Sequence, residues 1–206
     1  MKTEIMAASL PNALNHALDV LHRGGVVAFP TDTVYGLAAL AFQEEGIQRL
    51  YSIKGRNQTK AIAVLIHDVR ELEQIAVDIP AAAFDLADRF WPGPLTMVLP
   101  RHPDVPEALS SNPTIGVRVP DHPVALDLLR LTGPLGVTSA NLAGGKNTRD
   151  AADVLTQLEG RVHLVIDGGR SPGGVPSTVI DCTKADLTIL RPGPISSADI
   201  WSVLAG

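Results

Sequence analysis

A single cysteine, Cys182, stands among the 206 residues of the chain, so an internal disulfide is excluded and nothing marks an oxidising compartment. Aromatic residues make up only 4% and are not interleaved with the cations, which argues against a base-stacking platform. No apolar run is long enough to span a bilayer, and the N-terminus has no basic-then-apolar leader pattern. The expectation is a cytoplasmic protein with no membrane contact. The six histidines are scattered, none at metal-ligand spacing with Cys182 or a carboxylate, so no protein-held metal is expected.

Familiar phosphate and nucleophile signatures are missing too. Gly145-Lys146 would complete a phosphate loop only with glycine at 140 and Ser or Thr at 147, where the chain has Ala140 and Asn147. No Gly-x-Gly-x-x-Gly follows the first strand, and there is no Gly-x-Ser-x-Gly elbow. With 45% apolar and 19% charged residues the balance is that of an ordinary globular protein. No linker-like break, repeat or low-complexity tract divides it, so residues 1–206 read as one domain. A net charge of −5 disfavours non-specific nucleic-acid binding by the whole domain. A local basic patch of Arg49, Lys54, Arg56 and Lys60 keeps tRNA or RNA contact open.

Apolar periodicity alternates between the two regular structures. Residues 10–22 place Leu10, Ala13, Leu14, Ala17, Leu18 and Leu21 on one helical face, and Gly24-Gly25 ends it. Val26 to Phe29 reads as a buried strand, followed by a polar loop from Thr31 to Gly36. Ile47, Leu50 and Tyr51 mark a helix leading to Lys54. Ala61 to Ile66 reads as a strand, and two more helices run near Val69–Ala76 and Phe84–Trp91. Strands follow at 95–99, 115–119, 135–138, 162–166, 177–181 and 186–191, the last two forming a hairpin. Helices are expected near 123–131, 149–158 and 197–204. The interleaving gives an α/β class, and the hairpin makes the sheet mixed rather than wholly parallel.

The Gly-, Pro-, Ser- and Thr-rich stretches follow apolar strands, where α/β proteins bind ligands. Lys54-Gly55-Arg56 puts two cations after a helix, and Thr138-Ser139-Ala140-Asn141 ends a strand in small hydrogen-bonding groups. Cations with compact donors at strand ends suit phosphate and carboxylate groups. Lys54 and Arg56 read equally well as solvated charges favouring the helix dipole. Ser139 and Asn141, like Thr31 and Thr33, are also ordinary turn formers. Arg118 is sharper. It lies mid-strand among apolar neighbours and must pair with a carboxylate, either the protein's or a ligand's. Cys182 and Trp91 read as core.

In order along the chain, Pro30-Thr31-Asp32-Thr33-Val34-Tyr35-Gly36-Leu37, Lys54-Gly55-Arg56, Trp91-Pro92-Gly93-Pro94-Leu95-Thr96 and Val117-Arg118-Val119-Pro120 resemble the YrdC-type threonylcarbamoyl-AMP synthase family. So do Ser139-Ala140-Asn141-Leu142, Ser177-Thr178-Val179-Ile180-Asp181 and Arg191-Pro192-Gly193. The resemblance implies a twisted, mixed open sheet with flanking helices around a large cavity. It also implies synthesis of threonylcarbamoyl-AMP and pyrophosphate from L-threonine, bicarbonate and ATP, feeding tRNA threonylcarbamoyladenosine modification with partner proteins. Mg2+ is implied through the ATP phosphates.

Carried over by position, Lys54 and Arg56 resemble a phosphate and bicarbonate clamp, with Ser139 and Asn141 beside the reacting groups. Thr33, Arg118 and Ser177 match threonine-contacting positions, Arg118 taking the carboxylate, with Val137 contributing backbone and Leu65 packing. Arg56, Lys60, Thr114, Ser139, Asn147 and Arg191 match nucleotide-contacting positions. Departures are Asn57 and Ala61, where relatives often have proline, Pro176 where many have Glu, and Leu65 where His is frequent. They bear on loop stiffness and threonine affinity more than on reaction type. Two other readings stand beside the synthase: a non-catalytic RNA-binding module of this fold, and a sister enzyme forming a different carbamoyl-adenylate.

Overall fold

The computed structural model describes residues 2–55, 57 and 59–205. Ten strands form one mixed sheet among the described residues: β1 (Glu4–Ala7), β2 (Val27–Phe29), β3 (Gly36–Leu40), β4 (Ala63–Leu65), β5 (Leu95–Pro100), β6 (Thr114–Arg118), β7 (Leu135–Ser139), β8 (Leu164–Asp167), β9 (Thr178–Asp181) and β10 (Thr188–Arg191). Their spatial order is β1-β8-β2-β3-β7-β4-β6-β5-β9-β10. Six helices flank them: α1 (Ala13–His22), α2 (Glu44–Lys54), α3 (Ala81–Phe90), α4 (Pro123–Thr132), α5 (Ala151–Leu158) and α6 (Ser197–Leu204).

Strand β7 joins two groups of strands. It pairs antiparallel with β3 on one side (Ala38 opposite Val137) and with β4 on the other (Ala63 opposite Val137). The mixed sheet and the closing β9–β10 hairpin agree with the sequence reading.

Side-chain alternation sorts the core to two faces. On one face Val26, Ala28, Leu37 and Val64 pack with Ile47 and Leu50 of α2, Leu86 of α3, Val154 of α5 and Ile200 of α6. On the other, Val27, Phe29, Ala38 and Leu164 pack with Ala17 and Leu21 of α1 and Leu128 and Leu129 of α4. Helices α1 and α4 pack at the β8-β2-β3-β7 end of their face, their cluster reaching Leu65 of β4. Over β4, β6, β5 and β9 that face carries a cavity instead.

Three local expectations are corrected. Strand β3 begins at Gly36, where the sequence reads as the end of a loop, and its Gly-Leu-Ala-Ala-Leu is extended because β2 and β7 pair with it on both sides. Tertiary pairing overrides the helical preference of alanine and leucine. Strand β1 has no alternation to betray it and pairs only with β8. Val69–Gln74 is a 3-10 turn rather than an α-helix, started by Asp68, whose side chain accepts from the Arg70 amide.

Candidate active site

The cavity has a volume of about 320 Å³. Its floor is the sheet: Ala63 and Leu65 of β4, Thr96 and Val98 of β5, Gly116 and Arg118 of β6, Val137 and Ser139 of β7. Each pair is two residues apart and so shares one face of its strand. Small residues open the space. A Cβ on Gly36 would come within 2.8 Å of Val137 Cγ1, and one on Gly116 within 3.1 Å of Thr96 Cγ2. The loop before β3 supplies Thr31, Thr33 and Tyr35, and the segment before β9 supplies Pro176 and Ser177.

Arg118 is 5% exposed and paired. Its Nε donates to Gly93 O at 2.9 Å, Nη1 to Thr33 Oγ1 at 3.0 Å, and Nη2 to Asp32 Oδ1. Of the two carboxylate readings from the sequence, the protein's own is met by Asp32, and Arg118 also lines the cavity. A guanidinium has five N–H donors, so two remain beyond these three bonds. Burial pulls the Arg118 guanidinium below its ordinary range and Arg191 adds to this, while Asp32 opposes it. Thr33 Oγ1 lies 3.0 Å from Thr31 Oγ1, which donates to Val34 O at 2.6 Å. The Thr31 proton is thus committed, and Thr33 accepts from Arg118 and donates to Thr31.

At the opposite wall Arg191 donates to Ser177 O through Nε at 3.0 Å and Nη2 at 2.8 Å, and from Nη2 to Ser177 Oγ at 3.1 Å. Ser177 Oγ is 2.8 Å from Thr96 Oγ1. This chain fixes the Ser177 hydroxyl against the sheet. The segment leading to it is pinned by Gly173 N donating to Asp32 O at 3.0 Å and Gly174 N to Thr33 O at 2.6 Å. A Cβ on Gly173 would lie 2.7 Å from Asp32 O, so only glycine permits this approach.

Lys54 ends α2, where Gly55 turns the chain with φ 59°. It is 4% exposed, and its ammonium donates to the carbonyl oxygens of Ser139 and, at 2.6 Å, Asn141. The Ser139 hydroxyl and the Asn141 side-chain oxygen lie at 3.4 and 3.3 Å from it. In return Ala143 N donates to Lys54 O at 3.0 Å. Asn141 Nδ2 donates to Leu142 O and Gly145 O at 3.0 and 2.8 Å, closing the turn. Lys54 therefore organises the loop at the end of β7.

Of the residues singled out from sequence, Thr33, Leu65, Arg118, Val137, Ser139, Ser177 and Arg191 line the cavity. Lys54 and Asn141 stand behind Ser139. Thr114 is on the cavity face of β6 but outside the lining, and Lys60 and Asn147 are exposed in flanking loops. Arg56 lies outside the described residues. The suggested basic patch does not form as drawn: Lys54 is buried, and Arg49 pairs with Glu45 and lies 3.2 Å from His163 Nε2. Sequence reasoning did not single out Asp32 as the partner of Arg118, nor Thr96 as lining. Thr96 interrupts an otherwise apolar strand, a signal that was available.

No helix among the described residues is long and apolar enough to cross a membrane. The Sua5/YciO/YrdC family model, described as telomere recombination, matches residues 19–193. The chain is 40% identical over 191 residues to the threonylcarbamoyl-AMP synthase of Bacillus subtilis, covering 91% of this chain and 55% of that protein. It is 38% identical over 189 residues to a putative threonylcarbamoyl-AMP synthase of Mycobacterium tuberculosis, covering 91% of this chain and 87% of that one. The crystal structure of P. abyssi Sua5 complexed with L-threonine superposes with a TM-score of 0.94 at 37% identity, over 99% of this chain and 61% of that one. The chain thus spans about half the length of the first curated relatives it matches.

Proposed function

The chain belongs to the Sua5/YciO/YrdC family, and from that membership and its cavity we propose that it forms threonylcarbamoyl-AMP and pyrophosphate from L-threonine, bicarbonate and ATP. The observation that carries the reading is the buried Arg118, held by Asp32, Thr33 and Gly93 with two N–H groups to spare in a cavity that ends at Ser139.

Arg118 takes the threonine carboxylate as a two-point contact. Thr33 and Ser177, fixed by their own bonds, bracket the rest of the amino acid, and Leu65 and Val137 supply apolar wall. The threonine amine and bicarbonate give a carbamate and water. A carbamate oxygen then attacks the α-phosphorus of ATP, and pyrophosphate leaves. Such a displacement needs positioning and charge neutralisation more than a protein nucleophile. Lys54 sets the turn that presents Ser139 and Asn141, and Arg56 is assigned the phosphate-facing charge of the clamp. Arg191 and Ser139 stand on the nucleotide side, with Lys60, Thr114 and Asn147 around it.

Among the described residues no group of three His, Cys, Asp or Glu side chains is disposed to hold an ion, and no carboxylate lines the cavity. A protein cage for Mg2+ does not fit these residues, so Mg2+ is assigned to the ATP phosphates it arrives with. The product is assigned to tRNA threonylcarbamoyl modification, completed with partner proteins. Pyrophosphate release tests the reading: it is expected only when threonine, bicarbonate and ATP are all present. Release with another amino acid instead would move the chain to a sister activity, and none at all from folded protein would leave the RNA-binding module.

A further inference from the structure

We propose that the cavity takes threonine with its α-amino group uncharged, so that binding itself releases a proton to solvent. The inference deepens the threonine reading above and rests on it. A zwitterionic amino acid asks a site for two things: a cation for its carboxylate and an anion for its ammonium. This cavity supplies the first and withholds the second.

Among the described residues, the charged side chains lining the space are Arg118 from β6 and Arg191 from β10. From the loop before β3, Tyr35 donates its hydroxyl proton to Gly169 O at 2.7 Å and accepts from Gly168 N at 3.3 Å. It adds no negative charge, because burial holds the phenol above its ordinary range. No Asp or Glu is among the described lining residues. The undescribed positions, Met1, Arg56, Gln58 and Gly206, carry no acidic side chain.

Asp32 is the nearest carboxylate; its Oδ1 is bonded, and its Oδ2 has no hydrogen-bond partner but is buried. Its Oδ1 accepts from Arg118 Nη2 and from Asp121 N at 3.1 Å. Its Oδ2 has less than 1 Å² of accessible surface, so a ligand in the cavity does not reach it. His122 and Asp121 flank Asp32 on the side of α4. Asp150 and Asp167 act on the Tyr35 hydroxyl, and Asp167 Oδ1 accepts from Gly169 N at 3.0 Å. The Lys54 ammonium is turned to Ser139 and Asn141.

The remaining polar side chains of the described lining carry hydroxyls: Thr31, Thr33, Thr96, Thr138, Ser139 and Ser177. A hydroxyl with a proton to give serves a neutral amine as well as an ammonium, because it can donate to the amine lone pair. The Thr31 and Thr33 protons are committed, whereas Ser139 accepts from Lys54 and one of the Thr96–Ser177 pair keeps its proton. An ammonium set beside guanidiniums with no carboxylate in reach of it is disfavoured chiefly by desolvation, the Arg118 charge being answered by Asp32. The neutral form is also the one that reacts: R-NH2 and HCO3− give R-NH-COO− and H2O, and an ammonium has no lone pair to offer. Deprotonation is thereby completed at binding, ahead of the chemical step.

Calorimetric titration of threonine into the full chain tests this, without ATP or bicarbonate, in HEPES and in Tris. The dependence of heat on buffer ionisation enthalpy counts the protons. Close to one released proton per threonine is expected near neutral pH, with Kd falling about tenfold per pH unit while the free amine remains mostly protonated. 2,3-Dihydroxybutanoate, which has a hydroxyl in place of the amine, is expected to bind with the same affinity across that range. Threonine binding without proton release overturns this inference and leaves the threonine reading standing. No threonine binding by folded protein at any pH removes that reading and this inference with it.

Discussion

Replacing Asp32 isolates the energetics on which the cavity depends. The Asp32 and Arg118 side chains are 10% and 7% exposed, so each charge has left water and is compensated chiefly by the other. Removing one partner of such a pair leaves the other buried and unpaired, at a cost of roughly 3–5 kcal/mol. For a domain of this size each kcal/mol is worth about 2–4 °C in melting temperature, so Asp32→Ala is expected to lower Tm by roughly 6–20 °C. Asp32→Asn keeps an oxygen for Arg118 and Asp121 N and loses only the charge. It is expected to cost about 1.5–3 kcal/mol, the worth of hydrogen bonds to a charged group. Arg118→Met alone strands Asp32, whereas the double variant Asp32→Asn, Arg118→Met strands neither. Urea denaturation of the two single variants and the double variant gives the coupling, expected at about 1–3 kcal/mol. Additive single effects, or an Asp32→Ala loss below about 1 kcal/mol, would refute the reasoning. A raised threonine KM at near-normal kcat in Asp32→Asn would place its effect in how Arg118 is held.

Lys54→Met keeps the helix end but leaves the Ser139 and Asn141 carbonyls without their ammonium, each worth about 1–3 kcal/mol if unpaired. A loss of about 2–4 kcal/mol with turnover down at least tenfold is expected, and near-wild-type pyrophosphate release would contradict the positioning role. Stability is expected to fall on both sides of neutrality. Burial pushes the Cys182 thiol up to about 12 and raises Tyr35 further. The unfolded chain loses those protons first, so stability drops as pH rises above about 9. Burial lowers His163 and His122. The unfolded chain therefore takes up protons that the folded one refuses, and stability drops below about pH 6.5. Urea midpoints across this range check both arms, and a flat profile would contradict them.

What was legible in the sequence was whatever depends on neighbours along the chain. The helix over 13–22 shows in Ala13, Ala17 and Leu21, four apart, and the β9–β10 hairpin in two short apolar runs around Asp181–Asp186. Arg118 stood out because a lone guanidinium in an apolar strand demands a partner. What was not legible was the identity of that partner, since Asp32 lies 86 positions away and meets it only through the sheet. Strand β3 was hidden for the same reason: its extended form comes from β2 and β7. Lys54 showed the converse limit. Its type and place at a helix end left a solvated charge and a phosphate ligand equally open, and its packing directs the buried ammonium to the end of β7. The cavity itself is written in missing side chains, at Gly36, Gly116, Ala61 and Ala63, and pattern reading attends to what is present.

Strand β7 has a consequence during synthesis. Before it leaves the ribosome, β2 and β3 can pair as one fragment and β4, β6 and β5 as another, but nothing unites them. Strands β3 and β4 then each present an open edge to any other growing chain nearby. Leu135–Ser139 closes both edges at once, and its last residue is Ser139, with the Lys54 contact attached. A nascent chain stalled just short of Leu135 thus exposes strand edges at β2, β3, β4 and β5; five residues later β3 and β4 are closed and the end of the cavity is in place, while β2 and β5 still wait for β8 and β9.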